Sequence, residues 1–160
     1  MGVAGSGKTT IGQRVAGYFG WPYFEADDFH TSQAKAKMRG GIPLADEDRT
    51  PWLAAIRARM DACRAAGQSA VFTCSGLKEC YRSVLLGDTS DVTPVFLTAD
   101  FDTILERVSR RRGHYMKADM VRSQFEALEP PVDAVTIDVR QSLDEIVQIV
   151  IRAVAPKTLA

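Results

Sequence analysis

The 160-residue sequence lacks most marks of a membrane, secreted or nucleic-acid-binding chain. No apolar run approaches the ~20 residues that a bilayer span requires. The first residues are glycine-rich and do not form a signal-peptide pattern. Charge of either sign is not in excess: twenty basic and twenty acidic residues cancel, so no global field attracts a polyanion or a lipid surface. Cysteine is scarce and odd in number, at Cys63, Cys74 and Cys80, with no C-x-x-C pair. That argues against a disulfide framework and for reduced thiols in a cytoplasmic protein, with Cys63 and Cys74 as small core residues. Repeats, linkers and low-complexity segments are missing too. What is present is 46% hydrophobic and 25% charged, with a mean hydropathy of −0.10. This suits one domain, residues 1–160, around a single core.

Apolar runs alternate with helical periodicities. Ile11, Val15 and Phe19 lie four apart over residues 7–19, and Gly20 stops that helix. "PYFEA" (22–26) reads as a short strand. "RTPWLAAIRARMDACRAAG" reads as a helix with Thr50 as N-cap, Pro51 at the first helical position and Gly67 at the end. "SAVFTC" (69–74), "TPVFLTA" (93–99) and "AVTIDV" (134–139) are further strand candidates. Helices are expected over 77–86, 101–112 and 118–128, and after Ser142, which forms a capping box with Glu145. The alternation predicts an α/β fold with a parallel sheet covered by helices on both faces.

"GVAGSGKT", Gly2 to Thr9, fits the phosphate-binding pattern G-x-x-x-x-G-K-[ST]. Its glycines let backbone N–H groups from Gly2, Val3, Ala4, Gly5, Ser6, Gly7 and Lys8 converge on an anion, and the helix that follows adds its positive end. Lys8 would reach the β- and γ-phosphates, and the Thr9 hydroxyl would ligate Mg²⁺. "FEADDFH" (24–30) lies where a strand should end, which is where ligands bind in open α/β sheets. If this segment stays extended, Glu25 and Asp27 project to one side and Asp28 to the other. One carboxylate could hold Mg²⁺ through water, and another could accept the proton of an attacking hydroxyl. "RRRGH" supplies Arg110, Arg111 and Arg112, with Arg107 one turn earlier. Guanidinium groups there could stabilise a phosphoryl group in flight, and the glycine could hinge a lid over roughly 110–118. After the strand 69–74, Cys74-Ser75 stands where a Walker-B Asp is usual, so magnesium would rely on Thr9 and the acids near residue 27. Lys78 and Arg82, four apart on a helix, would share a face toward an anionic substrate.

Together, "GVAGSGKTT", "FEADDFH", "KMRGGIPLADEDRTPWL", "CSGLKECYR" and "RRRGHYMKADMVRSQFEALEPP" resemble the gluconokinases, a family of P-loop small-molecule kinases, in order and spacing over nearly the whole chain. The resemblance implies a three-layer P-loop kinase fold with a five-stranded parallel sheet and a small lid. It also implies transfer of the ATP γ-phosphoryl, with Mg²⁺, to the 6-hydroxyl of D-gluconate. It assigns nucleotide contacts to residues Gly2 through Thr10 and to Arg107, and catalytic roles to Lys8, Asp27 and Arg111. Thr9 and Glu25 fall at the metal, Glu25 where the family more often has Asp. Asp27, His30, Arg49, Lys78 and Arg82 are left to grip gluconate. Arg110 and Arg112 match less clearly, and His114 follows the lid glycine without a derivable role. The implied partner is a small molecule rather than nucleic acid or membrane, and a homodimer stays open. The family carries an apolar strand before its P-loop; here only Met1 precedes Gly2, so the natural chain is expected to begin upstream. The competing readings are a kinase for another hydroxy acid such as shikimate, or a nucleotide-binding regulatory module without turnover.

Overall fold

The structure, a computed structural model, describes residues 1–87, 90–110 and 117–155. In chain order the elements are α1 (Lys8–Phe19), β1 (Tyr23–Glu25), α2 (Ser32–Arg39), α3 (Asp46–Ala65), β2 (Val71–Thr73), α4 (Glu79–Leu86), β3 (Val95–Thr98), α5 (Phe101–Ser109), α6 (Lys117–Glu126), β4 (Val135–Asp138) and α7 (Leu143–Val154). A 3₁₀ turn, Ala26–Phe29, follows β1. Most of the expected lid, with Arg111, Arg112 and His114, lies outside the described residues.

Local chemistry explains most of the boundaries. The Asp100 side chain accepts from the Thr103 N–H at 2.7 Å and starts α5, and Ser142 and Glu145 form the capping box of α7. Gly20 closes α1 in the left-handed region, at φ 69°. The start of α3 corrects the sequence reading. Thr50 is not its N-cap, because the helix already runs from Asp46 and the Thr50 hydroxyl donates back to the Asp46 carbonyl at 3.1 Å. Asp48 supplies the cap instead, accepting from the Ala45 N–H at 2.9 Å, while Asp46, Glu47 and Asp48 together favour the positive end of the helix. Pro51 therefore sits inside the helix, where it lacks the N–H that would have reached Glu47. Helix α2 was not foreseen. Only Ala34 of it is buried, so it carries no apolar periodicity to read.

Among the described residues the strand pairs are parallel, as expected, but they form two ladders rather than one. β1 pairs with β2 through Tyr23↔Val71 and Glu25↔Thr73, and β3 pairs with β4 through Val95↔Val135 and Thr98↔Asp138. Between them the backbone of Met1 and Gly2 acts as a short bridge. The Met1 amine donates to the Val95 carbonyl at 2.6 Å, Leu97 N–H donates to the Met1 carbonyl at 2.9 Å, and Gly2 N–H donates to the Ser75 carbonyl at 3.0 Å. Beside this bridge lies an apolar cavity of about 480 Å³, lined by Met1, Ile11, Val15, Val71, Val95 and Leu97 among others.

Two cores hold the layers. The larger joins Val3 and the inner faces of α1, α5, α6 and α7 to β3 and β4, with Ile104 and Val139 fully buried. The smaller joins α3 and α4 to the end of β2 through Trp52, Leu53, Ile56, Cys74, Tyr81 and Leu85. On β2, Val71 packs against the first core and Phe72 against the second, so helices cover both faces of that strand. Among the described residues no helix is long and apolar enough to cross a membrane. Ile104 lies directly beneath the phosphate-loop segment, within reach of a Cβ placed on Gly5. Ile104→Ala should therefore cost about 2–5 kcal/mol of unfolding free energy in a denaturant titration.

Candidate active site

The Gly2–Thr9 loop wraps the N-terminus of α1. It turns through positive φ at Gly2, Gly5 and Gly7, and Gly7 (φ 91°) leads directly into the helix. Ser6 is fully buried, and among the described residues its Oγ has no hydrogen-bond partner. The Lys8 ammonium folds back on the Val3 carbonyl at 3.0 Å. A cavity of about 350 Å³ opens in front of the loop, lined by Ala4, Gly5, Gly7, Lys8, Thr9, Thr10, Glu25 and Asp27. The structure thus brings the predicted phosphate loop and two of the predicted acids to one space, at the carboxyl end of β1.

Glu25 is the structural hinge of this space. Its Oε2 accepts from the Thr9 hydroxyl at 2.8 Å and from the Tyr23 hydroxyl at 2.6 Å, and Tyr23 also shares a hydrogen bond with Thr73 at 2.7 Å. Burial, then the bond to Glu25, push the Tyr23 phenol up to about 12, so it stays a donor. Gly12 lets α1 lie this close to the strands, since a Cβ there would meet Thr73 Cγ2 at 2.5 Å. A hydroxyl and a carboxylate in contact are hard oxygen donors, the set that Mg²⁺ uses alongside phosphate oxygens and water. Among the described residues no group of three His, Cys, Asp or Glu side chains could hold a metal by itself. Such a site therefore fits an ion that arrives with a nucleotide.

The segment after β1 is not extended, which corrects the expected alternation of Glu25, Asp27 and Asp28. It coils into the 3₁₀ turn because the Trp52 indole donates to the Ala26 carbonyl at 2.7 Å and pins it against α3. Asp27 still lines the cavity, and Asp28 is exposed outside it. His30 stacks on Trp52 with ring centroids 4.6 Å apart. Its Nδ1 is buried without a partner among the described residues, and burial lowers its pKa from the usual histidine value.

The predicted substrate cations separate into two kinds. Arg49 and Lys78 reach one small cluster, both positioned over the Tyr81 ring at 5.7 and 5.4 Å from its centroid. Arg82 does not share their surface. Its side chain is 4% exposed, and its guanidinium donates to the Gly76 and Leu77 carbonyls at 3.0 Å and to Glu79 at 2.5 Å. Lys78 stands at the cap of α4, not within it, which is why the four-residue spacing gave no shared face. Arg107 donates to the Val139 carbonyl at the end of β4, at 2.6 Å, and Arg110 pairs with Glu106. Cys74, where a Walker-B Asp is usual, is buried, and burial pushes its thiol up to about 11.

Three neighbours escaped the sequence reading. Tyr23 was legible as the residue two before Glu25 on one strand face. Asp46 lies three before Arg49, the spacing of a helical neighbour pair. Gln124 had no signal; its Oε1 accepts from the Ala4 N–H of the loop at 2.6 Å, across 120 residues of sequence.

The profile of the shikimate kinase family matches residues 4–155. The probable gluconokinase of Rattus norvegicus is 38% identical, over 96% of this chain and 94% of its own. The thermosensitive gluconokinase of Escherichia coli (strain K12) is 39% identical, over 92% and 81%. The crystal structure of a gluconokinase from Sinorhizobium meliloti 1021 superposes with a TM-score of 0.85 at 40% identity, covering 97% of this chain and 89% of that one. The chain belongs to the shikimate kinase family, and within it to the gluconokinases. Its fold is accordingly the P-loop kinase fold of that family. In this gluconokinase-family chain, the glycine at position 5 is where the loop passes over α5: a Cβ would fall 2.5 Å from Val108 Cγ2, on a backbone of φ 86°. Gly5→Ala should therefore displace the loop and abolish nucleotide-dependent turnover while far-ultraviolet circular dichroism stays close to the parent's.

Proposed function

We propose that this chain transfers the γ-phosphoryl group of ATP to the 6-hydroxyl of D-gluconate, giving 6-phosphogluconate, in the cytoplasm. The observation that carries the reading is the shared cavity: a phosphate loop, a lysine and two carboxylates face one space, with the Arg49–Lys78–Tyr81 cluster available for an acid group. The 38–39% identity to gluconokinases over most of the chain supports the choice of acceptor.

The roles follow from position. Backbone N–H groups of the Gly2–Thr9 loop and the positive end of α1 hold the phosphate chain. Lys8 leaves the Val3 carbonyl and neutralises charge on the transferred group. Thr9 and Glu25 would hold Mg²⁺, which would supply charge neutralisation for the phosphate chain. Asp27 accepts the proton of the gluconate 6-hydroxyl as its oxygen bonds to the γ-phosphorus and the bond to the β-phosphate oxygen breaks, releasing ADP. Arg49 and Lys78 pair with the gluconate carboxylate, and the His30–Trp52 stack walls the sugar chain. Arg82 acts indirectly, holding the Gly76–Leu77 backbone beneath that site. Arg107 and Arg111 are assigned to the nucleotide and the transferred phosphoryl.

A coupled ADP-release assay over D-gluconate, shikimate and related hydroxy acids tests the assignment. Turnover confined to shikimate would favour the second reading, which the family profile itself suggests; ATP binding without turnover on any acid would favour a regulatory module. Asp27→Asn should lower kcat on gluconate by roughly 10²–10⁴ while leaving ATP affinity nearly unchanged. A larger loss from Asp28→Asn would move the base to the wrong side of the turn and refute this assignment.

A further inference from the structure

Resting on the gluconate reading, a second carboxylate becomes informative. Asp46, in the first turn of α3, accepts from the Tyr81 hydroxyl at 2.5 Å, from Lys78 Nζ at 3.4 Å and from Arg49 Nη1 at 3.4 Å. These are the cations proposed for the incoming carboxylate, and Asp46 already sits against both, although Arg49 Nη1 also donates to the Leu44 carbonyl at 2.7 Å. The pairing is not needed to cap the helix, because Asp48 does that through the Ala45 N–H and is itself held by Lys37 at 2.7 Å. Nor is it a buried structural bridge. The Asp46 side chain is 65% exposed and its contacts to both cations are long, so they exchange readily for a better partner. Only the bond to Tyr81 is short, and Tyr81 is itself the surface over which Arg49 and Lys78 are arranged.

We propose that Asp46 is a built-in competitor for the substrate's acid group: it occupies the anion site of Tyr81, Lys78 and Arg49 in the free protein and is displaced when gluconate binds. The exchange keeps two cations and a phenol organised between turnovers. It also weakens apparent affinity by the fraction of time the site is self-occupied. Asp46 is thus a positioning and specificity residue that acts through the cations rather than on the reacting atoms. An acceptor without a carboxylate gains nothing that would displace it, so the device favours acids over neutral polyols of equal length.

The test is Asp46→Asn, which keeps shape and removes charge. The KM for D-gluconate should fall about 3- to 10-fold, the range for a site self-occupied most of the time. The kcat and the KM for ATP should stay within a factor of two or so of the parent values. Gluconate affinity measured by calorimetry without nucleotide should tighten by a similar factor. Asp46→Ser, which retains a residue suited to a helix start, must reproduce the fall. Glu47→Gln removes the same charge from the same turn, where the side chain is exposed, and should leave the gluconate KM unchanged. A gluconate KM that is unchanged or raised in both Asp46 variants overturns this inference alone, as does an equal fall in Glu47→Gln. A parent chain that neither binds nor phosphorylates gluconate overturns the functional reading and this inference together.

Discussion

One carboxylate joins the parts of this molecule that must not move apart. Glu25 ends β1, accepts the hydroxyl of Thr9 at the start of α1, and accepts the hydroxyl of Tyr23, which in turn reaches Thr73 on β2. The phosphate loop is therefore tied to its strands through a chain of short polar contacts as well as through its own backbone. In a partly buried setting such contacts are strong and directional, and an incomplete set would be costly. Gly12 makes the arrangement possible by letting α1 approach without a side chain in the way. The same carboxylate that steadies the loop is also an oxygen donor lining the phosphate cavity.

Around that knot the protein assigns different work to different elements. β1 and the loop supply the phosphate end. The turn after β1, pinned by Trp52, brings Asp27 to the cavity and leaves Asp28 outside it. The start of α3 and the cap of α4 then provide Arg49, Lys78 and Tyr81. Burial lowers the pKa of His30 from the usual histidine value, while Arg49 and Lys78 stand over the Tyr81 ring nearby.

Much of this could be read in the residues. The G-x-x-x-x-G-K-T run, the apolar periodicities, and the Ser142–Glu145 box depend on neighbours in sequence, and local rules reach them. The failures share a cause. Thr50 was a sound N-cap by composition, but Asp48 caps α3 from a position that only the Lys37 pairing and the Ala45 N–H reveal. The Glu25–Asp27–Asp28 alternation assumed an extended chain, and a tryptophan 26 residues away in α3 coils it instead. Arg82 looked like a partner of Lys78 at helical spacing, yet loop carbonyls at Gly76 and Leu77 turn it inward. Gln124 is the extreme case: its bond to Ala4 spans most of the chain, and no local pattern encodes it.

The two cores meet at β2, where Val71 belongs to one and Phe72 to the other. The larger underlies the phosphate loop through Ile104 and Val108, and the smaller underlies the turn after β1 and the Arg49–Lys78 pair through Trp52 and Tyr81. One strand three residues long is thus the seam between the core beneath the phosphate loop and the core beneath the Arg49–Lys78–Tyr81 cluster. Because both cores pack on the same short backbone, a change of volume in one is transmitted to the other.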